Sequence, residues 1–289
     1  MTIEKFAGLE IEVIYEDEIL VVINKPAGIV ANKTQTISEA TIQDWMAAKL
    51  GEEQGIEKIL ADKKNWQELI PTDFDDTYGI PEEIFKQRQG LAHRLDRHTS
   101  GVLLLAKNPG ALVSLLHQFK QRQTQKKYVC LVHGQMKVAS AAIRAPIGRS
   151  TVQRHKFRVE IDGKPAVTYY RLLQFYSGID VSKLNQKDLT PELLEKLASY
   201  QHGFSLLECM PKTGRTHQIR VHLAHIDHPL VGDNFYGGGR RCRLDLNWCP
   251  RHFLHALQIQ FIHPQTKQSV NIKAPLPADL QQVLTLLKS

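Results

Sequence analysis

Residues 101–106 read Gly-Val-Leu-Leu-Leu-Ala, an unbroken apolar run. A run this short, with polar residues on both sides, is the length of a strand and reads as a buried one. It falls far short of the roughly 20 residues a membrane-spanning helix needs, and no other apolar run in the chain reaches that length. Any fold for this chain must therefore bury this strand. The segment that leads into it is the opposite in character. His93-Arg94-Leu95-Asp96-Arg97-His98-Thr99-Ser100 sets one carboxylate among two arginines and two histidines.

The rest of the chain supplies partners for such a strand. Residues 11–23 alternate and then run apolar, rich in Ile and Val, and predict strand, acidic turn, strand. Asn24-Lys25-Pro26-Ala27-Gly28 closes this pair as a turn, since Pro26 fixes its own φ and Gly28 tolerates positive φ. Residues 38–51 predict a helix with Ile42, Trp45, Met46 and Leu50 on one face and Gly51 as its cap. Further strands are predicted at 127–133, across 141–176, at 203–210, 254–262 and 268–273, and further helices at 109–122, 216–226 and 277–288. Asp162-Gly163 signals a hairpin between the two halves of 154–176. Two stretches, 52–90 and 177–202, are polar and loop-like with some helix around 56–69 and 191–200, and read as insertions. Strands outnumber helices and come in hairpins, so the fold class is α+β with a largely antiparallel sheet.

The chain has 289 residues and a net charge of +7. Lys and Arg crowd three segments, Lys120 to Lys127, Arg144 to Arg158 and Arg240 to Arg251. A generic basic surface accounts for net charge alone, but three clusters in otherwise mixed sequence point to a polyanion, because Lys and Arg displace counterions from phosphates. The N-terminus carries early acidic residues and no apolar stretch, unlike a secretory signal. The four cysteines are few and scattered, as in a protein of the reducing cytoplasm.

Three constellations bear on chemistry. A carboxylate among cations, as at Asp96, stays ionised and suits a nucleophile or electrostatic partner better than a general acid. The plain alternative is a solvated charged loop. In PKTGRTHQIRVHLA, residues 211–224, a glycine turn opens a helix with Arg215, His217 and Arg220 at its start. Helix N-termini attract phosphates, and a guanidinium clamps a carboxylate or phosphate in fork geometry. Here Arg220 faces away from Ile219 and Leu223, so the alternative is an exposed basic face. Lys127-Tyr128 starts a strand, where a tyrosine usually packs but can also stack on an unstacked base. Other chemistries lack their signatures. Cys242, Cys249, His252 and His255 have neither paired CxxC spacing nor the His spacing of a zinc site, so no metal is expected. Ser100 lies in HTSGV rather than a GxSxG elbow, Asn24–Gly28 lacks P-loop glycines, and the HxE and PCxxC pattern of zinc deaminases is missing.

Taken in order, HRLDRHTSGVLLLAK, KKYVCLVHG and LLECMPKTGRTHQIRVHLAHIDHPLVGDNFYGG resemble the RluA-type family of RNA pseudouridine synthases, with YEDEILVVINKPAG and FLHALQIQFIHPQT resembling its flanking segments. Each motif is moderately specific and the ordered set highly so. The resemblance covers about residues 11–280 apart from the insertions. It implies a single pseudouridine synthase domain over 1–289 with a central RNA-binding cleft and no separate N-terminal RNA-binding domain. It also implies conversion of uridine in RNA to pseudouridine without cofactor or metal. By the same resemblance Asp96 is the catalytic aspartate, Tyr128 packs on the target base, Arg220 pairs with the aspartate, and Arg94 meets the flipped nucleotide. Arg97, Lys127, Arg215 and His217 join it as expected RNA contacts. The expected partner is ribosomal RNA first and transfer RNA second, with a cytoplasmic monomer as the default. Covalent attack by Asp96 and stabilisation of a glycal-like intermediate both stay open. The rival from another class is a non-catalytic RNA-binding or ribosome-assembly factor on the same fold.

Overall fold

The computed structural model describes residues 2–53, 55–74, 79–154, 156–184, 189–200 and 202–288. Parts of both insertions, residues 75–78 and 185–188, lie outside the described residues. In chain order the elements are β1 (Thr2–Phe6), β2 (Leu9–Glu16), β3 (Leu20–Lys25), α1 (Ile42–Glu53), α2 (Ile56–Ala61), α3 (Pro81–Arg88), β4 (Ser100–Ala106), α4 (Pro109–Lys120) and β5 (Gln125–His133). Then come β6 (Ser140–Arg144), β7 (Ile147–Arg149), β8 (Phe157–Val159), β9 (Val167–Tyr176), β10 (Gly178–Ile179), α5 (Pro191–Ala198) and β11 (Phe204–Pro211). The chain closes with α6 (Gln218–His225), α7 (Gly239–Asp245), β12 (Leu254–Ile262), β13 (Ser269–Lys273), α8 (Ala278–Thr285) and β14 (Leu287–Lys288). This is the α+β class expected. The residues divide into two compact units, one of 1–125 with 258–274, the other of 126–257 with 275–289.

In the first unit β1, β2, β3 and β4 pair antiparallel in sequence order, and β13 folds back on β12. The Gly-Val-Leu-Leu-Leu-Ala run is β4, with every residue buried. Each such Leu contributes about 1.5–3 kcal/mol on burial. Strands begin earlier than expected, at Thr2 rather than residue 11, because β1 is half exposed and lacks the apolar density that marks a strand in sequence. In α1 the predicted face is fully buried at Ile42, Trp45, Met46 and Leu50, but Gly51 lies inside the helix instead of capping it. Asn108 caps α4, its Oδ1 accepting from the Ala111 N–H at 2.8 Å. The first insertion packs on this helix: a side chain at Gly110 would meet the Trp66 carbonyl at 1.9 Å, so glycine is required there.

In the second unit β5 and β9 flank β11, and β6 pairs with β9, all antiparallel. One face of this sheet packs Val129, Leu131, Phe204 and Phe253 with α8 and the buried Leu197 of α5. The other packs Cys130, Val132, Tyr170, Leu207 and Cys209 against Ile219 and Leu223 of α6. The hairpin signalled at Asp162-Gly163 is not formed. A turn is there, with the Gly163 N–H on the Glu160 carbonyl at 2.8 Å, but β8 pairs with β7 and β9 with β6 and β11. No helix among the described residues is long and apolar enough to cross a membrane.

Candidate active site

The Asp96 loop belongs to the first unit, and its backbone is fastened at both ends. Upstream, Leu91 bridges to Leu105 of β4, and the Ala92 N–H bonds the Leu104 carbonyl at 3.3 Å. His93 Nε2 accepts from the Leu104 N–H at 3.1 Å, so the ring carries any neutral-state proton on Nδ1. The turn before it depends on Gly90. Its φ is +78°, and a Cβ there would stand 2.2 Å from the Ala106 carbonyl oxygen. Leu95 is buried and drives the loop down, leaving Asp96 half-buried beside exposed Arg94 and Arg97.

Downstream, the Asp96 carbonyl accepts from the Thr99 N–H at 3.1 Å, which makes residues 96–99 a turn. The next carbonyl, of Arg97, accepts from the Gly28 N–H at 2.8 Å and from Lys25 Nζ at 3.1 Å. Lys25 is wholly buried, and its ammonium also donates to the carbonyls of Pro26 (2.7 Å) and Ile29 (2.8 Å). A buried ammonium is costly unless its donors are satisfied. This one is satisfied by carbonyls that tie the Asn24–Gly28 turn to the residue after Asp96. The Arg97 side chain is held on Glu39.

Tyr128, Arg220 and the other expected residues belong to the second unit. Tyr128 is half-buried on β5, opposite Cys209 of β11. Side chains alternate along a strand, so Lys126 and Cys130 share the Tyr128 face while Lys127 lies on the other. Lys127 Nζ is 3.5 Å from Glu208, which also takes Arg171 at 3.1 Å. Lys126, absent from the residues expected for RNA, is the one beside Tyr128. Its burial lowers the ammonium to about 8.

Arg220 is not on an exposed face of α6 but 3% exposed. Its Nε and Nη2 each donate at 2.8 Å to the carboxylate of Asp233, itself fully buried. The guanidinium carbon sits 5.3 Å from the Phe235 ring and 5.2 Å from the Tyr236 ring, so two cation–π faces enclose it. Burial pushes the Asp233 carboxyl up, but the Arg220 hydrogen bonds and charge outweigh this and hold it below the usual carboxylate range. Asp233 Oδ1 also accepts from the N–H groups of Phe235 (2.9 Å) and Tyr236 (3.1 Å), which fixes the two rings. One carboxylate thus orients both the arginine and its aromatic cage.

The same cage gathers His217, whose Nδ1 hydrogen-bonds the Tyr236 hydroxyl at 2.9 Å while that hydroxyl accepts from the Phe157 N–H at 3.1 Å. Arg215 turns aside, its Nε donating to the Pro165 carbonyl at 3.2 Å. Gln218 organises the turn, accepting from the Thr213 hydroxyl at 2.6 Å and the Arg215 N–H at 3.1 Å. Asp233, Phe235 and Tyr236 were missed by sequence reasoning, although Gly-Asp-Asn-Phe-Tyr carried a signal: a lone carboxylate followed by two aromatics.

A family model described as RNA pseudouridylate synthase matches residues 19–225. An uncharacterized RNA pseudouridine synthase of Bacillus subtilis is 31% identical over 97% of this chain and 74% of its own length. The ribosomal large subunit pseudouridine synthase D of Pseudomonas aeruginosa is 32% identical over 97% of this chain and 72% of its own. Among solved structures, Human RNA Pseudouridylate Synthase Domain Containing 1 shares the fold at a TM-score of 0.63 with 22% identity, over 96% of this chain and 88% of that one.

Proposed function

The chain belongs to the RNA pseudouridylate synthase family, an isomerase acting on RNA, and on that premise we propose that Asp96, Tyr128 and Arg220 act together on one extruded uridine. A uridine inside a stem is unreachable, so the base is flipped into a pocket at a cost of a few kcal/mol. Stacking on Tyr128 and phosphate contacts offset that cost. The N1–C1′ bond then breaks and a C5–C1′ bond forms. C5 gives up its proton and N1 takes one, so the sum is an isomerisation with nothing oxidised or reduced. Neither a cofactor nor a metal enters this balance.

Asp96 serves as an ionised carboxylate, either bonding covalently to the nucleoside or stabilising the charge of the detached state. The family resemblance assigns Arg220 as its partner, a cation that would keep it ionised. The observation that carries this reading is the Arg220 setting. A guanidinium buried between two rings and bound by a fully buried carboxylate is costly, because apolar side chains of similar volume usually fill such space at no loss of stability. A chain that keeps this arrangement is using the cation. A guanidinium presents its donors in a rigid planar fork, the geometry that holds a carboxylate in a fixed place. The match to RNA pseudouridine synthases favours the catalytic reading over a non-catalytic RNA-binding factor.

Arg94, Arg97, Lys127, Arg215 and His217 are assigned to RNA contacts, with Lys126 added. The protein acts as a cytoplasmic monomer on ribosomal RNA, in keeping with the ribosomal large subunit in the name of the Pseudomonas relative, with transfer RNA second. Mapping pseudouridines in total RNA with and without the gene tests this. Loss of discrete ribosomal positions is expected. Loss at a transfer RNA position reassigns the substrate, and an unchanged map overturns the proposal.

A further inference from the structure

Two open concavities of about 510 and 770 Å³ lie in the second unit and share Arg241 and Asp227 as walls. We read the two, which adjoin at those walls, as one groove. It starts at Tyr236, the ring that carries Arg220, and passes Gly237, Gly238, Gly239, Arg240 and Arg241. It ends between His133, Tyr200, Lys196 and Phe175. His133 lies five residues along β5 from Tyr128, about 17 Å at the usual strand rise. We propose that this groove holds the phosphodiester backbone of the RNA strand flanking the target nucleotide. The proposal rests on the RNA-modifying reading above and gives a place on the surface to the start of the basic cluster Arg240 to Arg251.

Charge, shape and lining support it. Arg240, Arg241 and Lys196 are exposed cations on the groove, and Asp227 is the carboxylate among its walls. Lys196 also meets Glu192 of its own helix, so the arginine pair carries the net positive charge. The nearby Asp245 is fully buried and committed: it accepts from the Tyr200 hydroxyl at 2.5 Å, from His133 Nε2 at 2.9 Å and from the Gly232 N–H at 2.9 Å. Gly238 and Gly239 have nothing within 4 Å of where a Cβ would stand, so the floor between Tyr236 and the arginines is bare backbone that a phosphate can approach closely. Phe175, half-buried on β9, offers a ring at the far wall. A cationic track with an aromatic face is how proteins hold single strands without reading sequence.

The far wall is built by the second insertion. Leu197 of α5 is fully buried, and the Tyr200–Asp245 bond pins the end of that segment to α7. The insertion thus contributes Lys196, Ser199 and Tyr200 to the groove, which gives it a role in substrate binding.

The test is RNA affinity across a salt series for the full chain carrying Asp96→Asn, which prevents turnover. The probe is a labelled RNA fragment spanning a uridine that the wild type modifies. Each single-strand phosphate contact adds about 0.7 to the slope of log affinity against log salt, so Arg240→Ala/Arg241→Ala should flatten it by about 1.4. Arg240→Lys/Arg241→Lys should restore the slope, since a phosphate accepts either cation, whereas a merely structural defect would stay. Phe175→Ala should weaken binding about tenfold at unchanged slope, as loss of a base stack does. An unchanged slope in the arginine-to-alanine pair overturns the groove while leaving the RNA reading intact if the wild type still converts uridine. If the wild type converts no uridine in total RNA, no such fragment exists and both readings are overturned.

Discussion

Replacing Asp233 with Asn tests the scaffold around Arg220. The substitution keeps size and retains Oδ1 for the Phe235 and Tyr236 N–H groups. It also turns an amide N–H toward Arg220 Nε, where Oδ2 accepts at 2.8 Å in the native chain. A donor then faces a donor, and a guanidinium 4% exposed loses its countercharge. Breaking one side of a buried pair costs about 3–5 kcal/mol. At roughly 2–4 °C per kcal/mol for a chain of this size, the melting temperature should fall by about 6–20 °C. Turnover should fall at temperatures where the variant is still folded, because the arginine is no longer aimed. The double variant Asp233→Leu/Arg220→Met separates the two effects: it should recover much of the stability and none of the activity. Acid gives a further check. The Asp233 carboxyl is held low, so its contribution is present above the unfolded carboxylate range and is lost as pH falls through the folded value. Asp233→Asn should flatten that acid limb. A melting temperature within experimental error of the wild type would refute the reasoning.

Three further outcomes are expected. Gly90→Ala should destabilise by at least about 2 kcal/mol, given positive φ and a 2.2 Å approach to the Ala106 carbonyl, and should lower turnover because the Asp96 loop starts there; denaturant midpoints and initial rates check this. Burial sets the Lys126 ammonium at about 8 against an ordinary 10.5. The unfolded chain therefore binds more protons between these values, and folding stability attributable to Lys126 should rise with pH across that window. Comparing urea midpoints of the wild type and Lys126→Met at several pH values isolates this contribution, and parallel curves would contradict it. Turnover should survive EDTA, since the Cys249 thiol is pushed up to about 12 by burial and donates to the Arg251 carbonyl at 3.0 Å, a poor ligand set.

Local pattern made much of the fold legible. The apolar run at 101–106 is a fully buried strand, and Ile42, Trp45, Met46 and Leu50 share a buried face, because period and polarity are local properties. What failed was pairing at a distance. Asp162-Gly163 has hairpin chemistry, yet β8 and β9 each find better partners elsewhere, which no local signal records. Helical periodicity put Arg220 opposite Ile219 and Leu223, which left an exposed basic face as the alternative to a carboxylate or phosphate clamp. It is buried because Asp233, thirteen residues on, folds back with two rings over it. Lys126 is different, because alternation from Tyr128 was readable and points to it rather than to Lys127.

On the proposal above, Asp96 performs the isomerisation as an ionised carboxylate. Its most direct test is turnover of RNA labelled with tritium at uridine C5, whose hydrogen is released when that carbon takes the glycosidic bond. The Asp96→Asn variant keeps shape and removes charge. It should bind RNA like the wild type and release tritium at least about 10³-fold more slowly, the scale on which loss of a catalytic carboxylate is felt. Tritium release by Asp96→Asn at the wild-type rate would contradict the account.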